Sequence, residues 1–372
     1  MVFIFKPVVN YDIDKHTIIK YSFRMNKKIY SFYVKYFQYL ENPYLGIEGV
    51  VSLFVPRSLL KGAIIKSNVP VDYEFYQNIK KIYNFYPKNK KNKGGLRLNL
   101  PIKQNEKLDG ENNNDDNNDD NNDKRQAMTT FTLGVDSFYT LIKEYDQIDT
   151  LLYIDGFDID IQKKQLFNVV KNKLIEAGND YNKKIIFSET NLRNIFNKIK
   201  DKTGFAWGKY FHGPAIFCVF YGLINNYKSL YIPSSVASSE KQLWGTAWHI
   251  DNFYSSSNFN IIHNGDVNRV EKIKFLIEND NKFLDHLRVC FLNPKDAYNC
   301  SRCEKCLRTM IPIKEYGKAS LAKTFDFNID IGQKYIEIIK IAEKQKNLTI
   351  HVNNVKYVLK TFYPDHELTK RL

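Results

Sequence analysis

The chain has 372 residues, of which 43% are hydrophobic and 15% aromatic, enough for one large domain or two. No apolar run reaches membrane-spanning length and the opening MVFIFKPVVNYD has no leader-like pattern, so a cytoplasmic protein that avoids membranes is expected. The formal net charge is +14 even though eight acids crowd into residues 105–123; lysine and asparagine recur throughout, so most of that charge reads as solvated surface and nucleic acid is the less favoured partner.

In chain order, residues 1–87 read as a small α+β domain. Aromatic-rich runs at 29–37 and 50–55 suggest strands, and Pro70-Val71-Asp72 opens a helix with Phe75, Ile79, Ile82 and Tyr83 on one face. Residues 88–127 read as a linker. It starts with KNKKNKGG, passes a short strand at 96–100, and ends in the tract GENNNDDNNDDNND, which has no apolar residue to offset its ordering entropy. From 128 the pattern alternates. Strands are expected at 128–133, 150–155, 184–187, 229–232, 260–263 and 287–291. Helices are expected at 137–145, 161–177, after Thr190 as cap, at 214–225 and at 267–278. Strands separated by helical crossovers imply an α/β fold, with a parallel sheet and helices on both faces. This third domain spans 128–317, and 318–372 reads as C-terminal helices at 331–346 and 352–362.

Cys290, Cys300, Cys303 and Cys306 stand in VCFLNPKDAYNCSRCEKCLRT. Two overlapping C-x-x-C steps bring three sulfurs into one turn, and Cys290 can reach back as a fourth. Four thiolates suit a closed, tetrahedral, structural Zn2+ site. Arg288, Lys295, Arg302, Lys305 and Arg308 surround the cluster, which with four thiolates would carry about two negative charges. Cys218, in IFCVFYGLI, reads as ordinary core.

The first strand-to-helix turn of the alternating region is Thr132-Leu133-Gly134-Val135-Asp136-Ser137. In parallel α/β sheets, ligands bind beyond the carboxyl ends of the strands, and a helix start directs amide N–H groups at an anion. The turn resembles the S-G-G-x-D-S signature of the PP-loop ATP pyrophosphatases. With the cysteines, spaced C-x9-C-x2-C-x2-C against that family's C-x8-C-x2-C-x2-C, it is similar to the 7-cyano-7-deazaguanine synthase branch. The resemblance covers about residues 128–317 and implies an adenine nucleotide alpha hydrolase-like fold with a C-terminal zinc module. It further implies that ATP activates a carboxylate by adenylation, that pyrophosphate leaves, and that a nitrogen or sulfur nucleophile displaces AMP. By the same resemblance, Asp136 would help hold Mg2+ and act with Ser137 in catalysis. Thr132 and Ser137 would bond phosphate oxygens, and Leu133, Gly134 and Val135 complete the nucleotide-binding turn.

Leu133 departs from the pattern, since the family has glycine there. Glycine permits a positive φ and close backbone approach. Either the leucine turns into the core on an ordinary backbone, or the turn no longer cradles phosphate. Gly156, at the end of the second strand of this region, is a candidate for approach of adenine or ribose. Lys209, His212 and Gly213 precede a helix, and 234–239 with Trp244, Gly245 and His249 form a loop suited to shaping a pocket. Arg269 and Lys272, at the start of a helix, are further candidates to reach phosphate, and Arg308, two residues past Cys306, is a candidate to point from the zinc module into the active-site mouth. Three functions compete: an ATP-dependent ligase or amidating enzyme taking a small carboxylate-bearing substrate, a degenerate nucleotide-binding protein, and a tRNA-modifying PP-loop enzyme. Assembly into a homo-oligomer stays open.

Overall fold

The computed structural model describes residues 1–86, 95–103, 125–238, 244–294, 297–344 and 357–365, with Thr369. The Asn/Asp-rich tract, most of KNKKNKGG, Ser239, Lys295 and residues 352–356 lie outside the described residues. The fold is α/β with a mostly parallel central sheet, and contacts divide it into two compact units. The first comprises residues 1–130, 147–157 and 186–264; the second comprises 131–146, 158–185 and 265–372. Among the described residues, no helix is long and apolar enough to cross a membrane.

The first unit is built on an eleven-stranded sheet. In chain order the strands are β1 (Val2–Ile4), β2 (Val8–Tyr11), β3 (Thr17–Met25), β4 (Lys28–Tyr36), β5 (Ile65–Lys66) and β6 (Leu98–Asn99). They continue as β7 (Gln126–Thr130), β8 (Thr150–Asp155), β9 (Lys184–Thr190), β10 (Tyr227–Pro233) and β11 (Asn260–Asn264). The order across the sheet is β11-β10-β7-β8-β9-β4-β3-β1-β5-β6, with β2 on β3. β7 pairs in parallel with both β8 and β10, and β10 with β11, so this region has the parallel character expected of helical crossovers. β4 joins β9 antiparallel, through Val34 opposite Thr190 and Tyr36 opposite Ser188. Residues 1–87 and 128–130, read from the sequence as parts of different domains, thus contribute strands to one sheet.

β8 shows why TLLYID reads as a central strand, since all six of its residues are buried. β3 instead alternates, burying Thr17, Ile19, Tyr21, Phe23 and Met25 and turning Lys20 and Arg24 outward. The inward set packs with Phe32, Phe54 and Phe196, with Phe23 and Phe54 ring centres 4.9 Å apart.

One expected strand is a helix. Residues 50–55 lie inside α1 (Glu48–Lys61), which is buried along nearly its whole length and closed by Gly62 at φ 66°. VVSLFV is apolar at every position, so it has no period to separate a buried strand from a buried helix. The helix at 73–81, α2 (Tyr73–Lys81), begins where Pro70-Val71-Asp72 places it, with the Asp72 carboxylate accepting the Phe75 N–H at 2.8 Å.

The second unit is helical. It holds α3 (Val135–Lys143) and α4 (Lys164–Asp180), whereas α5 (Leu192–Asn197) and α6 (His212–Tyr221) belong to the first. It continues with α7 (Arg269–Asn279), α8 (Phe283–His286), α9 (Glu304–Glu315) and α10 (Ile331–Lys344). α3 packs on α7, α7 on α9, α9 on α10 and α4 on α8. Phe138 centres one core, 5.0 Å from Phe131 and 5.9 Å from Phe283 between ring centres.

The expected strand at 287–291 is irregular chain. Its N–H groups find other acceptors: Arg288 donates to the Leu133 carbonyl at 2.8 Å, and Val289 and Cys290 donate to Asn299 Oδ1 at 2.9 and 3.2 Å. A ladder has nothing left to pair with there. Asn191, not Thr190, sits at the N-cap of α5, because β9 runs through Thr190. The Thr190 hydroxyl still accepts the Leu192 N–H at 3.2 Å.

Candidate functional site

β7 ends at Thr130 and the turn Thr132–Ser137 follows, all of it in the second unit. Leu133 settles the question its side chain raised in an unexpected way. Its φ is +62°, the left-handed conformation a glycine would supply, and its side chain is fully buried. A left-handed leucine costs about 1–2 kcal/mol. Burying the isobutyl group contributes about 2 kcal/mol, and the carbonyl is held by the Arg288 N–H. The backbone shape survives because the core holds it.

An ordering of stabilities follows. Leu133→Ala loses the buried side chain and keeps the strain, at about 2–5 kcal/mol. Leu133→Gly loses the same side chain but is relieved of the strain, so it should be about 1 kcal/mol more stable than the alanine variant. Urea unfolding of the two proteins checks this, and an alanine variant at least as stable as the glycine one would deny the left-handed turn.

Gly134 is the N-cap of α3 and offers no side-chain acceptor for the first amides. Ser137 is folded back on the turn, its hydroxyl accepting the Gly134 N–H at 3.1 Å and donating to the Gly134 carbonyl at 3.0 Å. A Cβ on Gly134 would stand 3.4 Å from Thr132 Oγ1 and 3.9 Å from Ser137 Oγ.

Asp136 is clamped by cations from α7, with Arg269 Nη2 at 2.9 Å from one oxygen and Lys272 Nζ at 3.0 Å from the other. The capping pair Asn268 and Glu271 starts α7 and so fixes both cations in its first turn. Burial alone would raise the Asp136 carboxyl, but the charges of Arg269, Lys272 and Lys305 win and hold it well below the usual range. The cations show the opposite balance. Burial pulls Lys272 and Arg269 down despite Asp136, so one carboxylate does not fully replace the water they have lost. Among the described residues, Arg269 keeps a buried Nη1 with no hydrogen-bond partner, and Arg308 a buried Nε that faces Glu304 at 3.4 Å without forming one.

Cys290, Cys300, Cys303 and Cys306 lie together, all four sulfurs within 4.8 Å of one another, and can hold a metal ion such as zinc. Cys300 and Cys306 sulfurs are 3.9 Å apart. Tetrahedral zinc–thiolate bonds set that spacing at about 3.8 Å, and a disulfide would need about 2.05 Å. Ser301, at φ +54°, bends the chain so that the Cys303 N–H donates to Cys300 Sγ at 3.3 Å. Thiols so close share protons. Hydrogen bonds from Cys303, then Cys306, draw Cys290 down, and Cys303 is pushed up to about 12 by Cys290. Only a cation lets all four ionise together. Cys218 is buried in the first unit, where burial drives its thiol up, as a core cysteine requires.

The second unit therefore gathers Thr132–Ser137, Arg269, Lys272, Arg308 and the four cysteines. Gly156, Lys209, His212, Gly213, Trp244, Gly245 and His249 belong to the first unit. Gly156 has φ +96° and closes β8. Gly213 donates its N–H to the Gly245 carbonyl at 2.8 Å, fastening that loop to the start of α6. Asn293 and Asn299 escaped the sequence reading. Asn293, at φ +48°, accepts from Arg288 Nη2 and donates to the Asp158 carbonyl; Asn299 also donates to the Leu287 carbonyl at 2.8 Å. The Asn-Pro step at 293–294 and the asparagine just before Cys300 were the available signals. No family model, curated protein or solved structure matches the chain.

Proposed function

We propose that the chain is an ATP-dependent adenylating enzyme of the PP-loop type, a ligase or amidating enzyme similar to 7-cyano-7-deazaguanine synthase. The observation that carries this reading is the left-handed Leu133 beside a glycine-capped helix start, with cations from α7 at its first turn. In this reading the first amides of α3, Thr132 and Ser137 receive phosphate oxygens, with the helix dipole adding attraction. A substrate carboxylate oxygen attacks the α-phosphorus, the bond to the bridging oxygen breaks, and pyrophosphate leaves with the electron pair. Arg269 and Lys272 offset the charge that collects on it. The four-cysteine group takes Zn2+ in a structural role, with Cys290, Cys300, Cys303 and Cys306 as its ligands.

Mg2+ fits less well at Asp136. Both carboxylate oxygens already accept from side-chain cations, so no step is assigned to a divalent ion there. The same observation favours a second reading, a nucleotide-binding module without turnover.

Purified protein with ATP, Mg2+ and a panel of small carboxylates is expected to release pyrophosphate. Gly134→Ala should spare the fold, since its methyl group meets nothing closer than 3.4 Å, and it should cut ATP affinity by roughly tenfold by standing between the two hydroxyls. ATP binding without release would select the second reading. No affinity for any adenosine phosphate would remove both.

A further inference from the structure

One strip of the first unit leaves aromatic side chains open to water. Trp248 is 51% exposed and Phe85 40%. Ring centres run in series from Trp248 to His249 at 5.2 Å, on to Phe85 at 5.1 Å and to Phe253 at 5.7 Å. Lys81 Nζ stands 5.9 Å from the centre of the Phe253 ring, and Lys80 lies beside it in the last turn of α2. Single apolar residues scattered on a surface need no explanation, whereas a continuous row of rings marks a contact surface. Fixed backbone holds each ring. Phe85 ends the helical turn Ile82–Phe85 that extends α2, and α2 packs on the turn Asp251–Tyr254, which carries Phe253. Asp251 ties that turn down, one oxygen accepting the Ala247 N–H at 3.0 Å and the other lying 2.7 Å from His263 Nδ1 near the end of β11. Trp248 and His249 are thereby held between two anchored residues. Burial pulls the His249 imidazole down, so it joins the row as a neutral ring. Lys81 Nζ donates to Asn78 Oδ1 at 3.0 Å, and among the described residues neither it nor Lys80 Nζ pairs with a carboxylate. Glu74 sits in the first turn of α2, at the far end of the helix, and Asp251 is taken up by Ala247 and His263.

We propose that this strip binds single-stranded RNA, with bases stacking on Trp248 and Phe85 while Lys80 and Lys81 meet the phosphates. Net charge alone speaks only for non-specific attraction, and the rings add what charge lacks, a rigid platform for the flat faces of bases. A duplex hides those faces in its own stack, so the strip selects unpaired strands. The proposal is independent of the nucleotide reading of the turn before α3.

The test is fluorescence anisotropy of a short labelled oligouridylate, which carries no adenosine, titrated with the full chain, each variant being checked for fold by circular dichroism. Trp248→Ala and Phe85→Ala should each weaken binding roughly tenfold, as for one lost stacked base, and Trp248→Phe should keep most of the affinity. Lys81→Ala should weaken binding severalfold and flatten the logarithmic salt dependence by about 0.7. Tyr39→Ala removes an aromatic side chain that is 57% exposed after β4 and should change nothing. A duplex RNA of the same length should bind at least roughly tenfold more weakly than the single strand. A wild type that ignores the oligouridylate would overturn the proposal, as would binding untouched by Trp248→Ala and Phe85→Ala together. Equal affinity for duplex and single strand, or an equal loss with Tyr39→Ala, would reduce the binding to charge or general stickiness and overturn it too. Capture of a proline-rich peptide in place of RNA would assign the strip to a protein partner instead.

Discussion

Removing the metal from Cys290, Cys300, Cys303 and Cys306 is expected to cost on the order of 10 kcal/mol of folding free energy. The size follows from what the sulfurs hold. Cys303 starts α9, Cys306 is buried in its first turn, and Cys290 ends the irregular stretch whose amides lean on Asn299 and Leu133. Four thiols within 4.8 Å gain little from one another without a cation to draw off their protons. Metal analysis should find about one zinc per chain. A chelator, or Cys303→Ser, should lower the melting temperature steeply and abolish the helical signal of the second unit first. Cys218→Ala is the control and should leave metal content intact. Zinc that comes away with no loss of stability would refute a structural site.

The second large effect is at Asp136. Asp136→Ala removes the carboxylate shared by Arg269 and Lys272 and leaves two buried cations without it, at about 3 kcal/mol or more. The pairing also has a pH signature. Because the folded carboxyl titrates below its ordinary value, its stabilisation is complete above the unfolded pKa of about 4 and is lost as pH falls through the folded value. Denaturant unfolding between pH 7 and pH 2 should therefore show a steeper acid loss for the wild type than for Asp136→Asn. Adding Lys272→Met to Asp136→Ala should return part of the lost stability, since it removes one stranded charge. Equal acid sensitivity in wild type and Asp136→Asn would mean that the clamp contributes nothing.

Local signals were the readable ones. The cysteine cluster was legible because its ligands are fixed by spacing within one short stretch. β8 and α2 were legible for a related reason: TLLYID stands in a recognisable alternation of elements, and Asp72 is a capping residue directly before an amphipathic face. What failed was non-local or without a period. VVSLFV belongs to a helix that other elements cover on all sides, and 287–291 spends its amides on an asparagine ten residues away. TIIKYSFRM alternates cleanly as β3, but its pairing with β4, which carries the N-terminal strands into the main sheet, depends on partners no window contains. Asp136 was found as a candidate and Arg269 and Lys272 as others, but their meeting required α3 to pack on α7.

The buried leucine in the turn has a consequence for motion. A loop hinged on glycines can breathe around whatever enters it, whereas this one is nailed down by an isobutyl anchor. In the proposed nucleotide-binding reading, adjustment to the ligand would come from the Arg269 and Lys272 side chains, leaving the backbone a rigid rim. If the turn binds a nucleotide as proposed, the amides of Val135 and Asp136, which Gly134 leaves without a side-chain acceptor, should exchange more slowly once it is bound while the anchored backbone keeps its shape.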